Sequence, residues 1–146
     1  MNRDSLELIK EFRSIKEKRL AKELAQIKSK MMKREDELSL LIKEKDRLLN
    51  LEREIKTGKI DLGTLELLFF QIDHIESKIQ KIKEELSQIK KEYEEKFKQL
   101  VSAAKQRRLI ERLIEVWEDR YRYELMKKEQ KFFDDISNTR YAHENA

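Results

Sequence analysis

The sequence predicts an all-α fold: two long helices forming an antiparallel coiled-coil hairpin, the second helix longer than the first. Three observations carry that expectation. The 146 residues hold no proline and only two glycines, Gly58 and Gly63, so the chain has almost nowhere to turn. Charged residues make up 44% and hydrophobic ones 38%, the balance of long helices rather than of a globule. The apolar residues recur at alternating steps of three and four. That spacing draws one narrow stripe along a helix, and the stripe must find another.

Helix one is expected over about residues 4–56, the turn over about 57–63 and helix two over about 64–138, followed by a frayed tail, all in one domain. Asp4 followed by Glu7 has the pattern of a capping box. Gly58 can take the left-handed conformation just past a helix end. Asp61 or Thr64 can cap the second helix by accepting a backbone N–H bond. In helix one the stripe runs Leu20, Leu24, Ile27, Met31, Leu38, Leu41, Leu48, Ile55, with Arg34, Lys45 and Glu52 interrupting it. Leu8, Phe12 and Ile15 form an earlier stripe one residue out of phase, which predicts local untwisting. In helix two the stripe runs from Leu68 through Ile72, Ile75, Ile79, Ile82, Leu86, Ile89 and Tyr93. It resumes at Leu100, Ala103, Ile110, Ile114, Trp117 and Tyr121, with Lys96 and Arg107 as polar interruptions.

Antiparallel pairing about a centre near residue 60 makes partner numbers add to about 120. Arg3 then lies beside Trp117, and helix two runs on for about 20 residues, about 30 Å, without a partner in its own chain. That end carries Tyr121, Leu125, Met126, Phe132, Phe133 and Ile136. A lone helix is marginal in water, so its apolar face is expected to dock into another protein; fraying or self-pairing is the alternative. Leu40, Ile42, Leu49, Leu51, Leu67, Phe69 and Phe70 also fall outside the two stripes. They are either an exposed interaction patch or are covered by Ile60 and Leu62 folding back from the turn.

Catalysis is not expected. The chain has no cysteine, no phosphate-binding glycine loop and two distant histidines, His74 and His143. Its carboxylates alternate with Lys and Arg on helix faces, where no pocket shifts their pKa. No catalytic, cofactor or metal residues are assigned, and no small-molecule substrate. Basic groups cluster at Lys28–Arg34 and Lys105–Arg112, but the net charge is +4 and no segment is strongly basic, so nucleic acid is not expected either. No stretch approaches the roughly 20 apolar residues of a membrane helix, and Met1–Phe12 lacks an apolar signal core. The expected location is the cytoplasm.

The segment from Arg120 to Asp135 carries Glu129, Gln130, Lys131 and Asp134, with Asp135 where a Glu is usual. It resembles the Glu-Gln-Lys-x-x-Asp-Glu pattern near the end of the flagellar export protein FliJ family. Length, the single central break and the two long helices are similar as well. The resemblance implies a non-enzymatic stalk of the flagellar type III export apparatus. Its partners would be the hexameric export ATPase, the cytoplasmic domain of the export gate and the export chaperones, at the cytoplasmic face of the inner membrane. It would bind the ATPase ring through its terminal end, promote ring assembly and couple the ring to the gate. The ring-binding candidates are Tyr121, Leu125, Glu129, Gln130, Lys131, Phe132, Phe133, Asp134 and Asp135. The gate candidates, chosen for expected exposure near the turn, are Leu40, Ile42, Leu49, Phe69 and Phe70. A virulence secretion stalk of the same architecture, a holdase chaperone with helical tentacles and a parallel coiled-coil dimer are the alternatives.

Overall fold

In the computed structural model, residues 2–58 and 61–144 are described, and helix α1, Arg3–Lys56, is followed by helix α2, Leu62–Glu144. The all-α expectation holds, with the second helix the longer. The role foreseen for Ile60 lies outside the described residues. Leu62 opens α2 as an exposed residue rather than as a cover.

The helix ends are closed by groups that differ in part from those expected. Asn2 caps α1: its side-chain oxygen accepts the Ser5 N–H at 2.8 Å and its carbonyl accepts the Leu6 N–H at 3.2 Å. The Asp4–Glu7 box does not form, because the helix begins two residues too early for Asp4 to be its cap. Asp4 lies instead in the first turn, where a negative charge complements the helix dipole. At the far end the Thr57 and Gly58 N–H groups donate back three residues, to Glu54 and Ile55. The Thr57 hydroxyl donates to the Glu54 carbonyl as well, at 2.8 Å. This tightened turn satisfies the Glu54 and Ile55 carbonyls, and Gly58 does not enter the left-handed region. Asp61 caps α2, accepting the Gly63 N–H and the Thr64 hydroxyl on its two carboxylate oxygens. α2 therefore starts at Leu62, and it runs to Glu144, past the residue 138 expected from sequence.

The chain divides into two compact units. In the turn-side unit, Arg19–Leu100, the interior follows the expected stripes. Leu20, Leu48, Leu68, Ile72, Ile79, Leu86 and Ile89 are buried there. Leu24, Ile27, Met31, Leu38, Leu41, Ile55, Ile75, Ile82 and Tyr93 are half-buried between them. In the terminal unit, Met1–Lys18 with Val101–Ala146, Leu6 packs with Ile110 and Ile114, flanked by Ile9 and Trp117. Each such buried Leu or Ile contributes about 2 kcal/mol by leaving water.

The terminal unit corrects one expectation. Leu8 and Phe12 are 69% and 70% exposed, and Ile15 is exposed as well. The face turned to α2 is Leu6, Ile9, Arg13 and Glu17, in phase with Leu20. Local untwisting would rotate this stretch by about 100° per residue of slip. It would withdraw Leu6 from Ile110 and separate Glu17 from Arg107, so the helix keeps one phase.

Every polar residue that interrupts the stripes is ion-paired. Lys96 reaches Glu23 at 2.8 Å, Arg34 reaches Glu85 at 3.1 Å and Lys45 reaches Glu76 at 3.3 Å. Arg107 bonds Glu17 across the pair and Glu111 within its own helix. Glu52 takes Lys56 one turn on at 2.7 Å. With Arg3–Glu118, the cross-helix partners add to between 119 and 124, which fixes the antiparallel register close to the expected 120. Hydrogen bonding to Lys96 holds the Glu23 carboxyl below its usual range, and Glu17 and Glu111 raise Arg107 further. Such half-exposed pairs contribute little net stability, but a slipped register would leave each charge without its partner.

Candidate functional site

Two surfaces hold the residues singled out from sequence. Among the described residues no group of His, Asp and Glu is placed to hold a metal ion. No described helix is long and apolar enough to cross a membrane.

The first surface is α2 beyond Glu118. Arg3 and Glu118 meet at 3.0 Å and close the paired part of the terminal unit. Residues 119–144 continue as helix for about 39 Å at 1.5 Å per residue, exposed throughout. Tyr121, placed on the seam from sequence, is exposed, beyond the Arg3–Glu118 pair. Its ring stacks on Trp117 instead, with centroids 5.3 Å apart and planes 8° from parallel. Arg3, Trp117, Glu118, Tyr121, Arg122 and Leu125 line a shallow concavity at this closure. Farther on, local contacts brace the helix. Lys127 sits over the Tyr123 ring at 4.7 Å, Phe132 meets Phe133 edge-on, and the Thr139 hydroxyl donates to the Asp135 carbonyl.

The nine ring-binding candidates do not share one face. At 100° per residue, Tyr121, Leu125, Phe132 and Phe133 occupy one broad arc, and Glu129 falls within it. Gln130, Lys131, Asp134 and Asp135 lie on the rest of the circumference. A partner that touches all nine has to surround the helix.

The second surface lies in the turn-side unit. Leu40, Ile42, Phe69 and Phe70 are exposed, whereas Leu49 is half-buried against the Leu48, Leu68 and Ile72 cluster. Flank position divides four of the five, and Phe70, two residues from the seam on either side, points away from α1. Ile42, Leu49 and Phe69 each follow a seam residue (Leu41, Leu48, Leu68), so they are turned in the same sense. In an antiparallel pair, one sense of turn on both helices means one side of the pair. Lys56, which follows the seam residue Ile55, lies 5.9 Å from the Phe69 ring centre, as this rule requires. Leu40 precedes Leu41 and stands on the opposite side, with Leu51 and Leu67. The gate candidates therefore do not form one patch.

Residues that the pattern search missed occupy the terminal unit. Leu109 and Leu113 are exposed at helical spacing beside the buried Ile110 and Ile114. A signal was present: each immediately precedes a seam residue, and seam counting alone discards that position.

The family profile described as Flagellar FliJ protein matches residues 2–146. No curated protein and no solved structure matches the chain.

Proposed function

The chain belongs to the flagellar FliJ protein family, whose role is related to flagellar export and is not catalytic, and on that premise we propose that it is a stalk of the export apparatus. Residues 119–144 enter the central opening of the hexameric export ATPase. The observation that carries this reading is the exposure of α2 beyond Glu118 on every face, its apolar arc of Tyr121, Leu125, Phe132 and Phe133 included. A groove engages one face of a helix; a ring engages all of them.

The mechanism follows from a mismatch of symmetry. One helix cannot present the same surface to six identical subunits. Subunits facing the apolar arc and those facing Lys131 and Asp134 are stabilised in different nucleotide states. The coupling is this difference in affinity, and it promotes ring assembly without any reaction on the stalk. The side of the turn-side unit bearing Ile42, Leu49 and Phe69 meets the cytoplasmic domain of the export gate, and export chaperones are handled on the same protein. The location that follows is the cytoplasmic face of the inner membrane. The family favours a flagellar over a virulence apparatus. A holdase built on strands is disfavoured by a described structure that is helical on both sides of the turn.

Removing residues 119–146 is expected to abolish stimulation of the purified export ATPase, read as hydrolysis rate against added protein. Circular dichroism should show the remainder still helical. Undiminished stimulation by the truncated chain would count against the reading.

A further inference from the structure

We infer that one side of the terminal unit is a docking groove for a helix of another protein, one whose apolar stripe is flanked by carboxylates. The inference goes beyond the stalk reading and uses none of its candidate residues. In the paired part of this unit, the residue before each seam position turns to one side of the helix pair and the residue after it to the other. The two sides differ in chemistry. The following positions hold Glu7 on α1 and Glu111, Glu115 and Glu118 on α2. Three of these four carboxylates are ion-paired, to Arg107, Arg112 and Arg3. The preceding positions hold exposed Phe12, Lys16, Leu109 and Leu113, and no carboxylate at all. In the register set by Arg3–Glu118 and Glu17–Arg107, Phe12 is level with Leu109 across the pair. Half-buried Ile9 and Trp117 lie on the floor between these rims.

Charge complementarity identifies the occupant. Lys16 ends the apolar line on α1, and Lys105, level with it, points outward from α2. Both are exposed, and among the described residues neither has an ion-pair partner. From their level to that of Trp117 the groove is about 18 Å long at 1.5 Å per residue. A helix of about twelve residues, apolar at steps of three and four, covers that length and completes a local three-helix packing. Carboxylates beside its stripe meet Lys16 and Lys105 and face no like charge, because this side carries none. An anionic membrane surface is recognised by a cluster of about four to eight cations. This side has two, beside a furrow between helices rather than a flat apolar face. Two copies of the side set face to face would bring lysines, and no carboxylate, into the contact.

The test is fluorescence anisotropy of the full chain with two labelled amphipathic peptides of about sixteen residues. Both carry the same Leu stripe; one is flanked by Glu and the other by Lys. The Glu peptide should bind with a dissociation constant below about 1 mM, and about tenfold tighter than the Lys peptide. Phe12→Asp with Leu109→Asp should weaken it by about tenfold or more at unchanged helical circular dichroism. Lys16→Glu with Lys105→Glu should remove the preference for the Glu peptide. If the aspartate variant misfolds, the lysine variant, at exposed positions, decides. No binding up to about 1 mM, equal affinity for the two peptides, or a preference that survives the lysine variant overturns the proposal. Two further outcomes overturn it by naming another occupant. One is cosedimentation with phosphatidylserine vesicles that Phe12→Asp abolishes; the other is a dimer mass in sedimentation equilibrium that the same change abolishes. Stimulation of the ATPase is a separate readout, so this inference and the stalk reading fail independently.

Discussion

The two units bury different things with the same helices. In the turn-side unit α1 meets α2 through Leu20, Leu24, Ile27, Met31 and their successors, and its ion pairs sit between apolar layers. In the terminal unit α1 meets α2 through Leu6 and Ile9, then through Arg13 and Glu17, while Phe12 points to water. There Arg13 donates to the Gln106 carbonyl and Arg107 bonds Glu17. Hydrophobicity alone does not select the face that a helix buries. The face is selected by what the opposite helix offers at that level, and a charge that finds its partner can hold a seam position against a nearby phenylalanine.

The largest effect that can break this comparison comes from the buried apolar residues. Leu6→Ala and Ile110→Ala should each destabilise by about 2–4 kcal/mol in urea unfolding, since each leaves a gap in the terminal core. Phe12→Ala removes a larger side chain yet should stay within about 0.5 kcal/mol. Equal losses at Leu6 and Phe12 would mean that the terminal unit uses the other phase. Next in size is the α2 cap: Asp61→Ala should cost about 1 kcal/mol, by orphaning the Gly63 N–H and releasing the Thr64 hydroxyl.

A smaller effect concerns the sign of the polar layers. Replacing Arg107 and Glu17 together by Leu should leave thermal stability unchanged or raised, while Arg107→Leu alone strands Glu17 and lowers it. In the turn-side unit the smallest expected effect depends on pH. Lys96 lowers the folded-state pKa of Glu23, so the stability from this pair is fully present above the unfolded carboxylate value of about 4.3. It is lost as the pH falls through the lower, folded value. The difference in melting temperature between the native chain and Glu23→Gln should therefore shrink on acidification below pH 4.3. A gap that widens on acidification would reverse the assignment.

Most of the seam was legible because it is written in spacing. Leu68 to Trp117 on α2 and Leu20 to Ile55 on α1 follow a rule that needs only residue numbers, and so does the register near 120. The stripe Leu8–Phe12–Ile15 obeys the same spacing and was misassigned, because its exposure depends on the partner found at the same level. The caps were legible as residue types but not as positions. Asn2 and Asp4 are both able acceptors, and only the helix start separates them. Of the candidate site, the exposed extension followed from unequal arms, whereas the division of Ile42 and Phe69 from Leu40 needed the flank on which each falls.

By itself the sequence determined two unequal helices, one break and a stripe on each, because periodicity and the scarcity of glycine and proline act locally along the chain. Only the tertiary structure decided which of two competing stripes on α1 turns inward, and which apolar residues are left to face water. That choice is a comparison between faces, and it has no value until the second helix is in place.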